Sequence, residues 1–331
     1  MPEAAAGNRA LSRRTAILVT AAGLAAAPAA VSAQRAGRVY RLGFIVQPPR
    51  ENFGALFDEL RRSGFTEGNN LIVDGRGFGL GAEQLNEIAV EVAKAEPDAI
   101  YAGGTAAGRA ARRATGTIPL VVLADDMVGA QLAKSLSHPG GNVTGISILA
   151  TELDGKRLEL LAEMVPRVGR VGAVWDAGTT AVDQIQKLTG MAQDRGITLL
   201  SFRVARASEI LPAIDAAKAA GVQALDVLAS ALFHANRAAM IAHIGELALP
   251  AVYQWPEYGQ EGALICYGPS VTSFYRQAAR LIAKVLNGTK PADIPVEQPT
   301  QIDLIVNKKT ATRLGLEIPL SILARATDLI E

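Results

Sequence analysis

The chain has 331 residues, of which 49% are hydrophobic and 20% are charged, and its formal net charge is +1. This composition is typical of a globular protein that is long enough for two lobes, and the balanced charge excludes a basic nucleic-acid groove and an acidic tail. The single cysteine, Cys266, excludes an intrachain disulfide, and the three histidines lack the spacing of metal ligands. We therefore expect no metal and no other cofactor.

Residues 1–33 have the three parts of a secretory signal. Arg9, Arg13 and Arg14 form a basic region, residues 15–30 are mostly apolar, and a small-residue cleavage site ends at Ala33. We expect a signal peptide that is cleaved near Ala33, and a product in the periplasm. The paired arginines favour the twin-arginine route. Ala16 stands where that motif usually has Phe, so the general secretory route stays open.

The remaining chain alternates apolar runs with segments of helical periodicity. The first series has predicted strands at 39–47, 70–78, 98–104, 118–125 and 142–149, with predicted helices at 53–65, 82–96, from Thr105 onward and at 128–138. The series then starts again, with strands at 170–176, 197–204, 224–230, 250–255, 263–268 and 301–307. Its helices are predicted at 156–166, 181–196, 208–221, 235–247 and 273–288, and a proline-rich stretch follows at 290–300.

Continuous Val, Ile and Leu runs between helices are typical of parallel strands that are covered on both faces. Two successive series therefore predict an α/β protein with two doubly wound, Rossmann-like lobes. A (β/α)₈ barrel is the alternative. It fits less well, because the two short strands within 250–268 and the proline-rich return to a last strand disturb an even series of eight.

The segment AIYAGGTAAGRAARRA, residues 99–114, places Gly-Gly-Thr between a strand and a helix. It is no Walker A loop, because Arg109 and Ala110 stand where a Lys and a hydroxyl are required, and it follows the third strand rather than the first, unlike a dinucleotide fingerprint. Free N–H groups at this helix start suit an anionic ligand group such as a carboxylate. The alternative is that Thr105 only caps its own helix.

Four segments together resemble one family: HPGGNVTGIS (138–147), DGKRLELLAEMVPRVGRVGAVWD (154–176), ALICYGPS (263–270) and the C-terminal stretch 279–331. They are similar to the solute-binding proteins of ABC importers, in the group that includes tryptophan and tyrosine binders. The resemblance runs from about residue 40 to the C-terminus, and LNGTKPADIPVEQPT is its most specific part.

The resemblance implies the type I periplasmic-binding fold, in which two lobes joined by three crossings close on a ligand like a Venus flytrap. It implies an ABC permease in the inner membrane as partner and no chemistry on the ligand, so no enzyme activity. We expect a monomer that binds a small molecule and no nucleic acid. One lobe would comprise residues 38–148 plus 268–298, and the other 149–267 plus 299–331. The crossings would lie near Ile148, near Tyr267 and in the proline-rich stretch.

Candidate ligand-binding residues lie where predicted strands end, because open α/β sheets bind ligands at that edge. They are Gln47, Gly104, Thr105, Ala106, Asp125 and Ser147 in the first lobe, Trp175, Asp176, Ser230, Phe233, Tyr253 and Trp255 in the second, and Tyr267 at a crossing. Four of the six tyrosines and one of the two tryptophans fall within 253–275, which favours aromatic walls for a planar or apolar ligand. The alternative is that these rings only pack the hinge.

The ligand class stays open between an amino-acid-like molecule and an aromatic or aliphatic carboxylate. Asp125 is suited to an amine or hydroxyl of the ligand, or to capping a helix near Val128. In the amino-acid binders of the family an acidic residue tends to follow the NVTGxS segment, whereas Ile148 and Leu149 follow Ser147 here. This departure weakens the case for an α-amino acid. A periplasmic sensor that signals to a receptor, and a secreted enzyme, are the alternative functions.

Overall fold

The computed structural model describes residues 37–148 and 150–331. The predicted signal peptide and its cleavage site lie outside the described residues. Among the described helices, none combines the length and the hydrophobicity needed to span a bilayer.

The first lobe is built on a five-stranded parallel sheet. Its elements are β1 (Tyr40–Val46), α1 (Gly54–Arg62), β2 (Leu71–Val73), α2 (Leu85–Lys94), β3 (Ala99–Gly103), α3 (Thr105–Ala114), β4 (Leu120–Ala124) and β5 (Val143–Ser147). The strand order is β2-β1-β3-β4-β5. Every residue of β3, β4 and β5 is buried, as expected for parallel strands with helices on both faces.

The second lobe is built on a seven-stranded sheet. Its elements begin with α4 (Ala150–Met164), β6 (Arg170–Asp176), α5 (Val182–Gln193), β7 (Thr198–Val204), α6 (Ile210–Ala219), β8 (Ala224–Val227), α7 (Ala231–Ala235) and α8 (Arg237–Glu246). They continue with β9 (Ala251–Tyr253) and β10 (Ile265–Gly268), and after the helix α9 (Val271–Leu286) with β11 (Asp303–Asn307), α10 (Lys308–Arg313), α11 (Leu320–Arg325) and β12 (Asp328–Ile330). The strand order is β12-β11-β10-β9-β8-β6-β7, and only the β10–β11 pair is antiparallel.

The chain passes between the two sheets three times. It leaves β5 for α4, and it returns after β10, because α9 packs on α1 and on the first sheet. It then runs along β5, where the Thr144 hydroxyl donates to the Ile294 carbonyl at 2.8 Å and Glu297 forms a bridge with Ile146, before it enters β11 of the second sheet. These passages bring the C-terminal ends of both sheets to one interlobe gap.

Two separate sheets confirm the two-lobed α/β architecture and exclude the barrel. The predicted helix at 128–138 is wrong, because turns occupy this segment and Gln131 has a φ of 58°, which interrupts any helix. The strand predicted at 70–78 is shorter, since a 3-10 helix begins at Gly75. The sequence patterns also missed α10, α11 and β12, which are only three to six residues long.

Candidate functional site

A partly open cavity lies in the interlobe gap. The first lobe lines it with Pro48, Phe53, Tyr101, Gly103, Gly104, Leu123, Ala124, Asp125 and Ile148, and the helix α9 adds Val271, Phe274 and Tyr275. The second lobe contributes Ser230, Ala231, His234 and Trp255. The lining is mostly apolar and aromatic with a few polar groups, as in many small-molecule sites.

Asp125 is the acidic group of the cavity. The Thr105 hydroxyl donates to Asp125 Oδ2 at 2.6 Å and accepts from the Asp125 backbone N–H at 3.2 Å. Burial raises the pKa of Asp125 to about 7, against the lowering effect of the Thr105 hydrogen bond, and the carboxylates of Asp154 and Asp176 add to the rise. Of the described residues that line the cavity, none is Lys or Arg, so this carboxyl faces the cavity without a cation.

The two alternatives to a ligand role at this end of the sheet are wrong. The N-cap of α3 is Gly104, so Thr105 does not cap its own helix. The side chain of Asp126, rather than that of Asp125, accepts from the backbone N–H groups of Val128 and Gly129 at 3.0 and 2.9 Å. Thr105 and Asp125 are therefore free of the capping tasks that the sequence left open.

On the second lobe, Ser230 lines the cavity and Asp176 hydrogen-bonds to it. The Ser230 hydroxyl donates to Asp176 Oδ2 at 2.7 Å and caps α7 by accepting from Leu232 N at 3.0 Å. Asp176 also accepts from the backbone N–H of Gly178 at 2.8 Å. Neighbouring strand ends thus hold this pair rigidly at the edge of the cavity.

Aromatic rings form the remainder of the wall. Phe53 lies 4.9 Å from Tyr275, Tyr275 lies 5.1 Å from Phe274, and Phe274 lies 5.3 Å from Trp255, measured between ring centroids. His234 is neutral, because burial and the nearby Arg237 lower its pKa to about 3. This chain of rings joins both lobes and suits a flat, apolar ligand body.

The two lobes touch next to the cavity. Gly104 has a φ of 109°, and a Cβ added there would lie 2.9 Å from Cβ of Ala231 in the second lobe. Ala106 also faces the second lobe, since a Cβ added at Gly178 would lie 3.5 Å from the Cβ of Ala106. The two lobes are therefore in close contact beside the cavity, with only small residues between them.

Only some of the predicted site residues lie at the cavity. Gly104, Asp125, Ser230 and Trp255 line the cavity, and Thr105 and Asp176 hydrogen-bond to lining residues. Gln47 instead lines a wider groove between the lobes, together with Gly81, Arg206 and Asn236. Of the remaining candidates, Ala106 lies at the contact between the lobes, and Ser147, Trp175, Phe233, Tyr253 and Tyr267 do not line the cavity.

Each of those five has another place in the fold. Phe233 and Tyr253 belong to the buried core, and Trp175 packs in the core around α4. The Ser147 hydroxyl accepts from Met127 N at 3.3 Å and so fixes the turn after β4. Tyr267 is half-buried in β10. Strand ends predicted the correct edge of the sheet but not the direction of each side chain.

Sequence reasoning missed a buried charged group in the second lobe. Arg157 on α4 is fully buried, forms an ion pair with Asp154 and donates to the Tyr267 carbonyl at 3.4 Å. Asp154 also accepts from Gln184 Nε2 at 2.6 Å. Asp226 is buried near Arg157, and burial raises its pKa to about 7, an effect that the positive charge of Arg157 opposes. The Arg–Asp spacing of three residues on a helix was the available signal.

Comparison with known proteins gives the family. Residues 47–330 match the model for ABC transporter substrate binding proteins, and the chain belongs to that family. A tyrosine-binding protein of Clostridioides difficile is 27% identical over 260 residues, which cover 78% of this chain and 74% of the relative. As a member of this family, the chain is a binding protein and not an enzyme.

Two solved structures have the same fold. A conserved domain protein of Vibrio cholerae is 29% identical and superimposes with a TM-score of 0.77, covering 88% of this chain and 99% of that one. The ABC domain of Streptococcus pneumoniae in complex with L-Trp is 22% identical with a TM-score of 0.76, and the match covers 88% of this chain and 100% of that one. These likenesses agree with the type I periplasmic-binding fold.

Proposed function

We propose that this protein captures an α-amino acid with a large aromatic or apolar side chain between its lobes and delivers it to an ABC permease. The single observation that carries the proposal is Asp125, a half-buried residue with its carboxyl at the polar end of an aromatic cavity whose described lining offers no cation. The tyrosine-binding relative and the L-Trp complex of the structural neighbour support the same ligand class.

The charge around Asp125 favours an ammonium group. The negative charges of Asp154 and Asp176 both act on Asp125, and Arg157 forms an ion pair with Asp154. A carboxylate that is shielded from water and has no cation beside it costs free energy. A ligand ammonium would supply the missing positive charge. The apolar Ile148 after the NVTGxS segment favoured an acid without an amine, but Asp125 supplies the needed carboxylate from a neighbouring strand.

The N-terminus of α3 is suited to the ligand carboxylate. Thr105 is the first residue of α3 and hydrogen-bonds to Asp125, so the positive end of the helix dipole lies beside the Asp125 carboxyl. An α-amino acid carries its ammonium and its carboxylate on one carbon, which matches this juxtaposition. The side chain would then extend between Tyr101, Phe274 and Trp255.

The three passages between the sheets would serve as the hinge of a Venus-flytrap motion. In this proposal the lobes comprise residues 38–148 plus 268–298 and residues 149–267 plus 299–331, and the protein works as a periplasmic monomer after removal of its N-terminal signal. Family membership supports the permease as the partner. The open form would admit the ligand, and the closed form would be recognised by the transporter.

A thermal-shift experiment with three matched ligand series tests the proposed function. The series are L-tryptophan, L-tyrosine, L-phenylalanine and L-leucine, their des-amino acids such as indole-3-propionate, and their decarboxylated amines such as tryptamine. We expect the amino acids to raise Tm, because a ligand at 100 times its Kd adds about 2.7 kcal/mol to stability. Des-amino acids should give little or no shift. Larger shifts with the des-amino acids than with the amino acids would contradict the proposal.

Gly104→Ala is expected to weaken ligand binding by hindering closure. The added methyl would lie 2.9 Å from Ala231 Cβ, so the lobes must stay slightly apart, at a cost of about 1–3 kcal/mol in binding free energy. Titration calorimetry measures this loss. Gly288→Ala is the matched control, because Gly288 also has a positive φ, of 99°, while nothing lies within 4 Å of the new Cβ. Equal loss of affinity in both variants would contradict the closure argument.

A further inference from the structure

One buried polar atom of the cavity is not used by the proposed function. Tyr101 is fully buried and lines the cavity, and its hydroxyl has no hydrogen-bond partner within 37–148 and 150–331. Buried hydroxyls are nearly always paired in native proteins, because an unpaired one loses its bonds to water. By contrast, the hydroxyl of the equally buried Tyr258 pairs with His234 Nδ1 at 3.1 Å. The Tyr101 hydroxyl is therefore available to hydrogen-bond a molecule in the cavity.

The strand register places this hydroxyl away from Asp125. A Cβ added at Gly103 would lie 3.6 Å from the Tyr101 hydroxyl oxygen, so that oxygen lies at the level of Gly103. Gly103 is opposite Leu123 in the sheet, and Asp125 follows two residues later, which is about 7 Å along a strand. This separation is comparable with that between the ammonium and the polar ring atom of an aromatic amino acid.

The surroundings of Tyr101 are aromatic. Its ring packs edge-on against Phe44 and Phe53, with centroids 5.6 and 6.1 Å apart. Burial raises the pKa of the Tyr101 hydroxyl well above its usual value, and the nearby Tyr275 adds to the rise. The hydroxyl is therefore neutral, and it can both donate and accept a hydrogen bond.

We propose that Tyr101 is a specificity-determining residue, whose hydroxyl selects amino acids with a hydrogen-bonding atom on an aromatic ring, a phenol or an indole, over phenylalanine and leucine. This inference rests on the proposed function. A purely apolar side chain would cover the hydroxyl without giving it a partner. A site built to bond a ligand OH or NH discriminates strongly against the analogue that lacks this group.

Titration calorimetry of the purified full chain with L-tyrosine, L-tryptophan and L-phenylalanine tests the inference. Of tyrosine and tryptophan, we expect the one that binds more tightly to have at least about tenfold higher affinity than phenylalanine. A tenfold difference in affinity corresponds to about one net hydrogen bond. In Tyr101→Phe that ligand should lose about tenfold in affinity. Phenylalanine should gain affinity in the same variant, so that the preference disappears.

The controls separate this inference from the proposed function. Tyr40→Phe removes a buried tyrosine hydroxyl at the opposite end of the first sheet and should keep the preference. Tyr101→Phe should fold with unchanged or higher Tm, because it deletes an unpaired group. Wild-type binding of phenylalanine as tight as that of the other two, or an unchanged preference in Tyr101→Phe, would overturn this inference alone. Failure of all three amino acids and of L-leucine to bind would overturn the proposed function and the inference together.

Discussion

Arg157→Leu is expected to destabilise the protein by about 3–5 kcal/mol at neutral pH, because it leaves buried carboxyls without their cation. The Arg157 side chain is fully excluded from solvent and pairs with Asp154, and its charge also acts on Asp226. Denaturant unfolding of the purified protein at pH 7 measures the loss. At pH 5 the loss should be smaller, since burial raises the pKa of Asp226 to about 7 and this carboxyl then takes up a proton.

Arg61→Leu is the matched control for this prediction. Arg61 and Asp58 form an ion pair with the same spacing on α1, but both side chains are more than half exposed, at 63% and 58%. Exposed pairs contribute about 0–1 kcal/mol, so this variant should stay close to the wild type. A loss for Arg157→Leu as small as that for Arg61→Leu would show that the buried group does not stabilise the second lobe.

Asp125→Asn is expected to weaken amino-acid binding by about 2–5 kcal/mol, the usual cost of removing one partner of a buried charged pair. The substitution keeps the shape of the side chain and leaves an oxygen for the Thr105 hydroxyl, which now donates to Asp125 Oδ2. Titration calorimetry with the tightest ligand measures the change. An unchanged affinity would show that the ligand ammonium does not bind at Asp125.

The affinity for an amino acid should rise with pH as Asp125 loses its proton. Burial raises the pKa of Asp125 to about 7, so an ammonium ligand, which needs the carboxylate, should bind about tenfold more tightly for each pH unit gained below pH 7 and level off above it. A ligand carboxylate would follow the opposite slope. Asp125→Asn should remove the dependence, and a wild-type affinity that falls as pH rises would contradict the ammonium assignment.

The ligand-free protein should show the linked effect on stability. Because the folded-state pKa of Asp125 is raised above the ordinary value of 3.8, the folded state holds a proton that the unfolded state releases. Stability from this group is present below about pH 4 and is lost as pH rises toward 7. At pH 7 the ammonium of a bound ligand would then offset the loss of folding stability that the buried carboxylate causes.

The architecture was predictable because its signals are long and regular. The run Leu120–Ala124 is continuously apolar, and Tyr40–Val46 is interrupted by a single charged residue, Arg41. Since segments of helical periodicity separate such runs, two series of parallel strands follow from pattern alone. The failures are short or irregular. The three-residue strand Asp328–Ile330 depends on pairing with β11 rather than on its own pattern.

The candidate site was only partly predictable. Strand ends identified Asp125 and Ser230, because topology fixes where the C-terminal edge lies. Phe53 and Phe274 were missed, since they reach the cavity from just before α1 and from α9, and only tertiary packing turns them toward it. Tyr253 was expected there for its position at a strand end, but its ring packs in the core against Tyr258.

A crystal structure of the protein grown with L-tryptophan or L-tyrosine, whichever binds more tightly, tests the central claim most directly. The account predicts the ligand in the interlobe cavity, its ammonium within hydrogen-bond distance of Asp125, its carboxylate at the start of α3 and its ring beside Tyr101 and Trp255. A ligand bound outside this cavity, or inside it with the ammonium turned away from Asp125, would contradict the account.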